Sequence, residues 1–227
     1  MATFYVVATP IGNLEDITLR AARVLKDVDL VLCEDTRVTK KLLNKYDTDT
    51  PTMSYHTHSK ISKEEKIFSL LEEGKDLALV SDAGTPTISD PGVVLVSKIR
   101  ERFGKDVKIE AIPGASALGA AVSVSGLPSS DFLFLGFLPH KKGRETLFKE
   151  IKDSKRTTVF YESPHRIIKT LGSLLEHLSN SRKVVLAREL TKIHEEVVSG
   201  SAEELLSYFG EHPDHIKGEF VVMVAGR

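Results

Sequence analysis

Tryptophan is absent from this sequence of 227 residues, cysteine occurs once, and aromatic residues make up only 7%. With a single cysteine no intrachain disulfide can form, so stability must come from a packed core, and a reducing compartment fits. No apolar run approaches the ~20 residues that a membrane-spanning helix needs. The first residues lack a basic segment followed by a long apolar one, so they read as a first strand and not as a signal peptide. A cytoplasmic location is the resulting expectation. An excess of one charge is also missing: 31 basic residues face 32 acidic ones, a net charge of −1. The whole molecule therefore has no basic field, and any nucleic-acid contact must come from a local patch. No G-x-G-x-x-G follows the first apolar run, which disfavours a nicotinamide dinucleotide. His194 has no histidine four residues away, so a metal site is not expected.

What is present is a regular alternation. Apolar runs at residues 4–8, 30–33, 77–81, 107–112, 132–136, 157–161, 183–187 and 220–225 read as strands. Between them, apolar residues recur at helical spacing: Ile17, Ala21, Val24 and Leu25; Ile67, Leu70 and Leu71; Val93, Val96 and Ile99; Ile167, Leu171, Leu174 and Leu175. Ser62 and Ser201, each with Glu three residues on, read as capping boxes, and Gly74 as a helix stop. Arg144 to Lys152 is expected to be a helix. Cys33 closes an apolar run and reads as a buried strand residue. Strands alternating with helices predict an α/β protein. We expect two α/β domains: residues 1–120 with a largely parallel sheet, a breaker-rich linker at 121–131, and residues 132–227 with a mixed sheet. A cleft between them is the expected active site.

The densest chemistry lies at strand ends. Residues 79–92 (LVSDAGTPTISDPG) run from an apolar strand into small, polar and turn-forming residues. Such a loop has little packing value but offers backbone amides, carbonyls and hydroxyls to a ligand, and open α/β sheets bind ligands at the carboxyl ends of their strands. Residues 9–13 (TPIGN) follow the first strand. Residues 33–37 (CEDTR) follow the second, and form either a polar-ligand site or a helix N-cap with a local ion pair. Residues 113–117 (PGASA) lead a strand into a helix of small residues. Residues 160–166 (FYESPHR) gather an aromatic, a carboxylate, a histidine and an arginine. Residues 188–196 (RELTKIHEE) are either a site or a solvated charged loop. The basic run 140–144 (HKKGR) could meet phosphates through Lys141, Lys142 and Arg144, or simply be a solvated helix entry.

In this order these segments, with 7–20 (VATPIGNLEDITLR) and 217–220 (KGEF), closely resemble the tetrapyrrole-methylase superfamily. Within it the match is to ribosomal small-subunit RNA cytidine 2′-O-methyltransferases. The resemblance covers nearly the whole chain. Its sharpest motifs are the aspartate–alanine–glycine–threonine–proline loop at 82–86 and the tyrosine–glutamate–serine–proline–histidine–arginine turn at 161–166. Corrin and haem-pathway methylases usually carry a glycine-richer turn at 9–13. The resemblance implies a homodimer that binds S-adenosylmethionine and methylates small-subunit RNA without a metal. By position, Pro10, Asp82, Gly84, Thr85, Ile88, Ala115, Ser116, Tyr161, Glu162 and Ala187 would hold the cofactor. Asp35, Glu162, His165 and Glu189 are candidates for base or orienting group. Arg37, Arg166, Arg188 and Lys192, with the basic loop, are candidates for RNA contacts. Many relatives are expected to continue into a short C-terminal module, whereas this sequence ends at Arg227. The alternatives are a small-molecule methylase acting on a tetrapyrrole, a non-catalytic ribosome-assembly factor of the same fold, and, remotely, a nicotinamide oxidoreductase.

Overall fold

The computed structural model describes residues 1–56, 61–90, 92–179 and 181–227. It resolves into two compact units, Met1–Ser116 and Ala117–Arg227. In the first, the chain runs β1 (Ala2–Val7), α1 (Leu19–Asp27), β2 (Leu30–Cys33), α2 (Thr36–Lys45), β3 (Thr52–Ser54), α3 (Ile61–Glu72), β4 (Leu77–Leu79), α4 (Gly92–Phe103) and β5 (Val107–Ile112). The sheet order is β3-β2-β4-β1-β5 and every pairing is parallel. Successive strand residues bury opposite faces, as the period of two demands. Phe4, Leu32, Leu77 and Leu79 join one core with Ile67, Leu71, Leu95 and Ile99. Val7, Val31, Cys33, Ala78 and Val80 join another with Ala21, Leu25, Leu42 and Leu43. A sheet covered on both sides reads in sequence as a continuous apolar run.

The order of this sheet places the loops. After β1 the chain crosses to β2, beyond β4; after β4 it crosses to β5, beyond β1. Neighbouring strands whose connections leave in opposite directions open a crevice at their carboxyl ends. The tips of β1, β4 and β5 thus lie side by side.

The second unit runs α5 (Ala117–Val124), β6 (Phe132–Phe137), α6 (Arg144–Asp153), β7 (Thr157–Glu162), α7 (Ile167–His177), β8 (Val184–Arg188), β9 (Glu196–Gly200), α8 (Ala202–Glu211) and β10 (Phe220–Val224). Its sheet order is β6-β7-β10-β8-β9, with β6 and β7 parallel and the other pairs antiparallel. Helices α6, α7 and α8 pack Phe148, Ile151, Leu171, Leu174, Leu205 and Phe209 onto Phe160, Leu186 and Val222. The pairing aligns Glu162, Phe220, Arg188 and Glu196 in one row across four strands. The loops that follow β7 and β8 therefore meet at a single edge.

Two local expectations are corrected. α3 is already helical at Ile61, so Ser62 sits inside its first turn and not at a cap; residues 57–60 before it lie outside the described residues. The Ser201 capping box does form, Ser201 and Glu204 each accepting the other's backbone N–H. Residues 121–124, expected in the linker, are the end of α5, in the second unit. Gly74, at φ +82°, ends α3 with Lys75 N–H donating to the Leu70 carbonyl and Gly74 N–H to that of Leu71, a Schellman motif.

Candidate active site

Backbone and hydroxyl bonds tie the loops of the first unit together. Thr9 and Gly84 exchange both main-chain hydrogen bonds, at 2.9 and 3.0 Å. The Thr9 hydroxyl donates to the Ser81 carbonyl at 3.1 Å, and the Thr85 hydroxyl to the Ala115 carbonyl at 3.1 Å. Ala8 N–H donates to the Ile112 carbonyl at 3.1 Å. Gly84 adopts φ +84°, and a Cβ there would stand 3.2 Å from Ile11 Cγ2 and 3.8 Å from the Ala115 carbonyl oxygen. A Cβ on Gly114 would stand 3.0 Å from the Ala8 methyl. Glycine is needed at Gly84 for its left-handed backbone and at Gly114 for close approach. Beyond Gly84 the loop holds Thr87 at φ +75° and Ser89 at φ +65°. This is strain of about 1–3 kcal/mol each, which the Asp90 carboxylate offsets by accepting Thr87 N–H at 2.6 Å and Gly92 N–H at 2.8 Å. Pro91 of the expected loop is outside the described residues. The resulting bed is made of Pro10, Ala83, Gly84, Thr85, Gly114, Ala115 and Ser116, all small or compact. Such a bed fits the nucleoside and amino-acid ends of S-adenosylmethionine, which need close backbone approach more than bulky side chains.

The end of β2 is acidic. Asp35 caps α2 by accepting Arg37 N–H at 2.8 Å and holds the Arg37 guanidinium at 2.6 Å. The cap reading of residues 33–37 is thus realised. The Arg37 side-chain hydrogen bond comes first among the causes that lower the Asp35 carboxyl to about 2. So weak a base is poorly matched to proton abstraction near neutral pH. Its neighbour Glu34 is half-buried. Burial first, then the carboxylates of Asp82 and Asp90, push Glu34 above the ordinary range. A carboxyl raised by burial beside like charges is a marker of functional sites. No sequence signal could reveal this, because Asp82 and Asp90 come from the loop after β4. Asp82 itself is exposed and accepts Asp35 N–H at 3.0 Å.

In the second unit Glu162 is buried, its side chain fully so. Arg166 Nε stands 2.7 Å from one carboxylate oxygen. Thr170 donates to the other at 2.7 Å and Arg144 Nη1 lies 3.8 Å from it, while Ser163 N–H donates to the first at 2.7 Å. Arg144 Nη2 donates to Thr170 at 2.6 Å, and Arg166 Nη1 to the Leu138 carbonyl at 2.8 Å. Burial pushes the Arg144 guanidinium below its ordinary value, with Glu162 opposing. These groups hold the turn after β7 in place. Two expectations are corrected accordingly: Glu162 has no free oxygen for a substrate proton, and Arg144 is no surface cation. Lys141 and Lys142 are exposed. His165 projects from the same turn, exposed and with no hydrogen-bond partner among the described residues. Tyr161 packs its ring on Phe134 and Phe137 at 5.1 and 5.3 Å, and burial raises its hydroxyl. Ala187 is a buried residue of β8, and Ile88 is exposed.

Glu189 is also engaged. Its carboxylate accepts from Lys192 Nζ at 2.8 Å and from Glu219 N–H at 2.9 Å. Burial pushes this carboxyl up, but the Lys192 and Glu219 bonds outweigh it and the net direction is down. Glu189 fastens the loop after β8 to the start of β10, so it is corrected from base to structural clamp. Lys192 also reaches Glu219 at 2.9 Å. Arg188 is 7% exposed and is held by the Lys217 carbonyl at 2.6 Å.

These interlocked strand-tip loops, on a parallel sheet followed by a mixed one, define a class. The family model for Tetrapyrrole (Corrin/Porphyrin) Methylases matches residues 3–206. The chain belongs to that family, and it is an S-adenosylmethionine-dependent methyltransferase. Its relatives narrow the branch. It is 45% identical to the ribosomal RNA small subunit methyltransferase I of Thermotoga maritima, covering 100% of both chains. With the protein of the same name from Halalkalibacterium halodurans it shares 50% identity over 99% of this chain and 76% of that one. Among solved structures it is similar in fold to a cobalt precorrin-4 methyltransferase (TM-score 0.69, 17% identity, 99% and 94% of the two chains). It is similar also to diphthine synthase (TM-score 0.71, 16% identity, 99% and 90%).

Proposed function

We propose that this chain methylates the 2′-hydroxyl of a cytidine ribose in the RNA of the small ribosomal subunit, as a homodimer in the cytoplasm. The observation that carries the reading is the 45–50% identity, over almost all of this chain, to relatives whose names specify small-subunit ribosomal RNA. The fold alone would not choose between RNA and a tetrapyrrole, because one scaffold hosts many substrates.

When bound, S-adenosylmethionine supplies an electrophilic methyl group on a sulfonium. Pro10, Asp82, Gly84, Thr85, Ile88, Ala115 and Ser116 in the first unit are the residues that would hold it. The ribose hydroxyl is a poor nucleophile while neutral, so a positioned base is worth about 10²–10⁴-fold. Asp35, Glu162 and Glu189 are each tied up in the folded chain, which leaves His165 as the proton acceptor. The raised carboxyl of Glu34 is the reserve candidate. Arg37, Arg166 and Lys192 are paired with those same carboxylates, so of the candidate cations the exposed Lys141 and Lys142 are left for ribose and phosphate.

The test is transfer of labelled methyl from S-adenosylmethionine to small subunits isolated without the modification, followed by mapping of ribose methylation. Label in a single 2′-O-methylcytidine is expected. Label only in a corrin intermediate would transfer the assignment to the small-molecule alternative, and subunit binding without label would favour the assembly factor. His165→Gln should lower kcat by about 10²–10⁴-fold with cofactor affinity unchanged by calorimetry. An unchanged kcat would pass the role to Glu34.

A further inference from the structure

We infer that α1 and α2, two helices on one side of the first unit's sheet, form a docking surface for the sugar–phosphate backbone of the RNA substrate. The inference rests on the RNA reading above and adds where the strand is gripped. The chain as a whole has a net charge of −1, so a basic face has to come from how the fold distributes its charges.

Ala21, Val24 and Leu25 of α1 share a core with Leu42 and Leu43 of α2, and the Thr50 hydroxyl donates to the Leu25 carbonyl at 2.7 Å. With those residues turned inward, α1 presents Arg20, Arg23 and Lys26 to solvent, and α2 presents Arg37, Lys40, Lys41 and Lys45. Against these cations the two helices hold a single acid, Asp27, at the last residue of α1. The other side of the sheet differs. There α3 and α4 carry Glu64, Glu65, Glu72 and Glu101. Lys98 pairs with Glu64 at 2.6 Å, and Arg102 with Glu65 and Glu72 at 3.1 and 3.0 Å. Lys63 donates to the Ser54 carbonyl at 2.8 Å.

Most cations of α1 and α2 are uncommitted. Arg37 is held by Asp35, and Arg20 faces Glu110. Arg23, Lys26, Lys40, Lys41 and Lys45 have no hydrogen bond or ion pair among the described residues. The helix dipole favours cations in a last turn, which accounts for Lys26 and Lys45 but not for Arg23, Lys40 and Lys41. Like charges on neighbouring turns repel, a cost that an anionic ligand removes. Arg37, Lys41 and Lys45 recur every four residues, one stripe with a step of about 6 Å, close to the separation of successive phosphates along a strand. The acids of the surrounding chain, from Glu15 and Asp16 to Asp47 and Asp49, sit in the connections before and after the helices. They bound the face and do not interrupt it. Neither helix contains an aromatic residue, so bases have no stacking platform and the grip falls on phosphates, without sequence preference. The face also leads to the site. Asp35 caps α2, and its N–H donates at 3.0 Å to Asp82 in the loop after β4, so a strand laid along α2 reaches the rim of the cofactor bed.

The test titrates the full chain into fluorescein-labelled oligocytidine, oligouridine and, separately, phosphatidylserine vesicles, at several salt concentrations. Both RNAs should bind alike, with an affinity that falls as salt rises. Lys40→Gln combined with Lys41→Gln should raise the dissociation constant about tenfold and flatten its salt dependence, because two phosphate contacts are lost. Arg23→Gln should raise it about threefold. Glutamine keeps the helix propensity of lysine and arginine, and calorimetry with S-adenosylmethionine checks each variant's fold. The comparison is Lys66→Gln, exposed on α3 across the sheet, which should bind RNA as the wild type does. Wild-type affinity in the folded α1 and α2 variants, or an equal loss in Lys66→Gln, would overturn the docking surface. Vesicle binding without RNA binding would overturn its assignment to RNA. The two readings fail separately. Variants that bind RNA like the wild type, in a protein that methylates small subunits, remove only the docking surface. Variants that lose affinity as expected, in a protein that labels no RNA, remove only the methylation.

Discussion

Gly84 and Gly218 show how much of the site is decided at single backbone positions. Gly84 is buried at φ +84°, between Ile11 and the Ala115 carbonyl. Gly84→Val would combine the cost of a left-handed β-branched residue, about 1–3 kcal/mol, with intrusion into the small-residue bed. Cofactor affinity should fall at least tenfold while the circular dichroism spectrum is kept; unchanged affinity would move the cofactor away from this loop. Gly218, at φ +98°, lies so close to Glu189 that a Cβ would stand 2.4 Å from its Cγ. Gly218→Ala should break the Glu189–Glu219 bond, raising hydrogen exchange at Glu219 N–H. The glycine-bearing loop at 79–92 was legible in the sequence as a site by its composition. The need for glycine at 218 was not, because its partner is 29 residues away.

At the scale of elements, the turn between β7 and α7 stands on a buried charge cluster. Arg144 from α6, Arg166 from the turn and Thr170 from α7 all converge on Glu162 at the end of β7. Glu162→Ala would leave two largely buried guanidinium groups without their anion, a loss of about 3–5 kcal/mol. Urea unfolding of the second unit should show it, and an unchanged midpoint would mean that water or another acceptor replaces the carboxylate. This is why residues 160–166 read in sequence as a candidate site: the same carboxylate and arginine that suggest chemistry build the turn itself. Strand and helix alternation was legible because buried parallel strands are continuous apolar runs. β9 was not, since Glu196, Ser199 and Gly200 leave no continuous apolar run and it lies on the sheet edge. Helix α2 was hidden by its basic surface, with only Thr39, Leu42 and Leu43 buried.

For the whole molecule, acid stability follows from the direction of its carboxyl shifts. Asp29, Asp35, Glu110, Glu189, Glu196 and Asp214 are all held below their ordinary values. A carboxyl depressed in the folded state contributes stability above its unfolded value, about 3.9 for Asp and 4.3 for Glu. That contribution is lost as pH falls through the folded value. Glu34 acts in the opposite sense: being raised, it favours the fold below about pH 4.3 and loses that contribution as pH rises through its folded value. Six depressed groups against one raised predict a melting temperature that declines from about pH 4.3 downward. Glu196→Gln should flatten the decline; a melting temperature independent of pH over this range would contradict the shifts.

Sequence alone determined the α/β class, the run of strands and helices, the single buried cysteine and the resemblance that carries the cofactor. Those properties are encoded in local periodicity and contiguous motifs, which short-range sterics and burial make visible one segment at a time. Tertiary structure decided which charged residues are free to act. Arg144, Arg188, Glu162 and Glu189 look alike on paper to His165 and Lys142, yet the first four are enclosed or clamped and the last two are open. Whether a charge meets solvent or an opposite charge depends on strands that come together only when the sheet is assembled, and that pairing has no local signature.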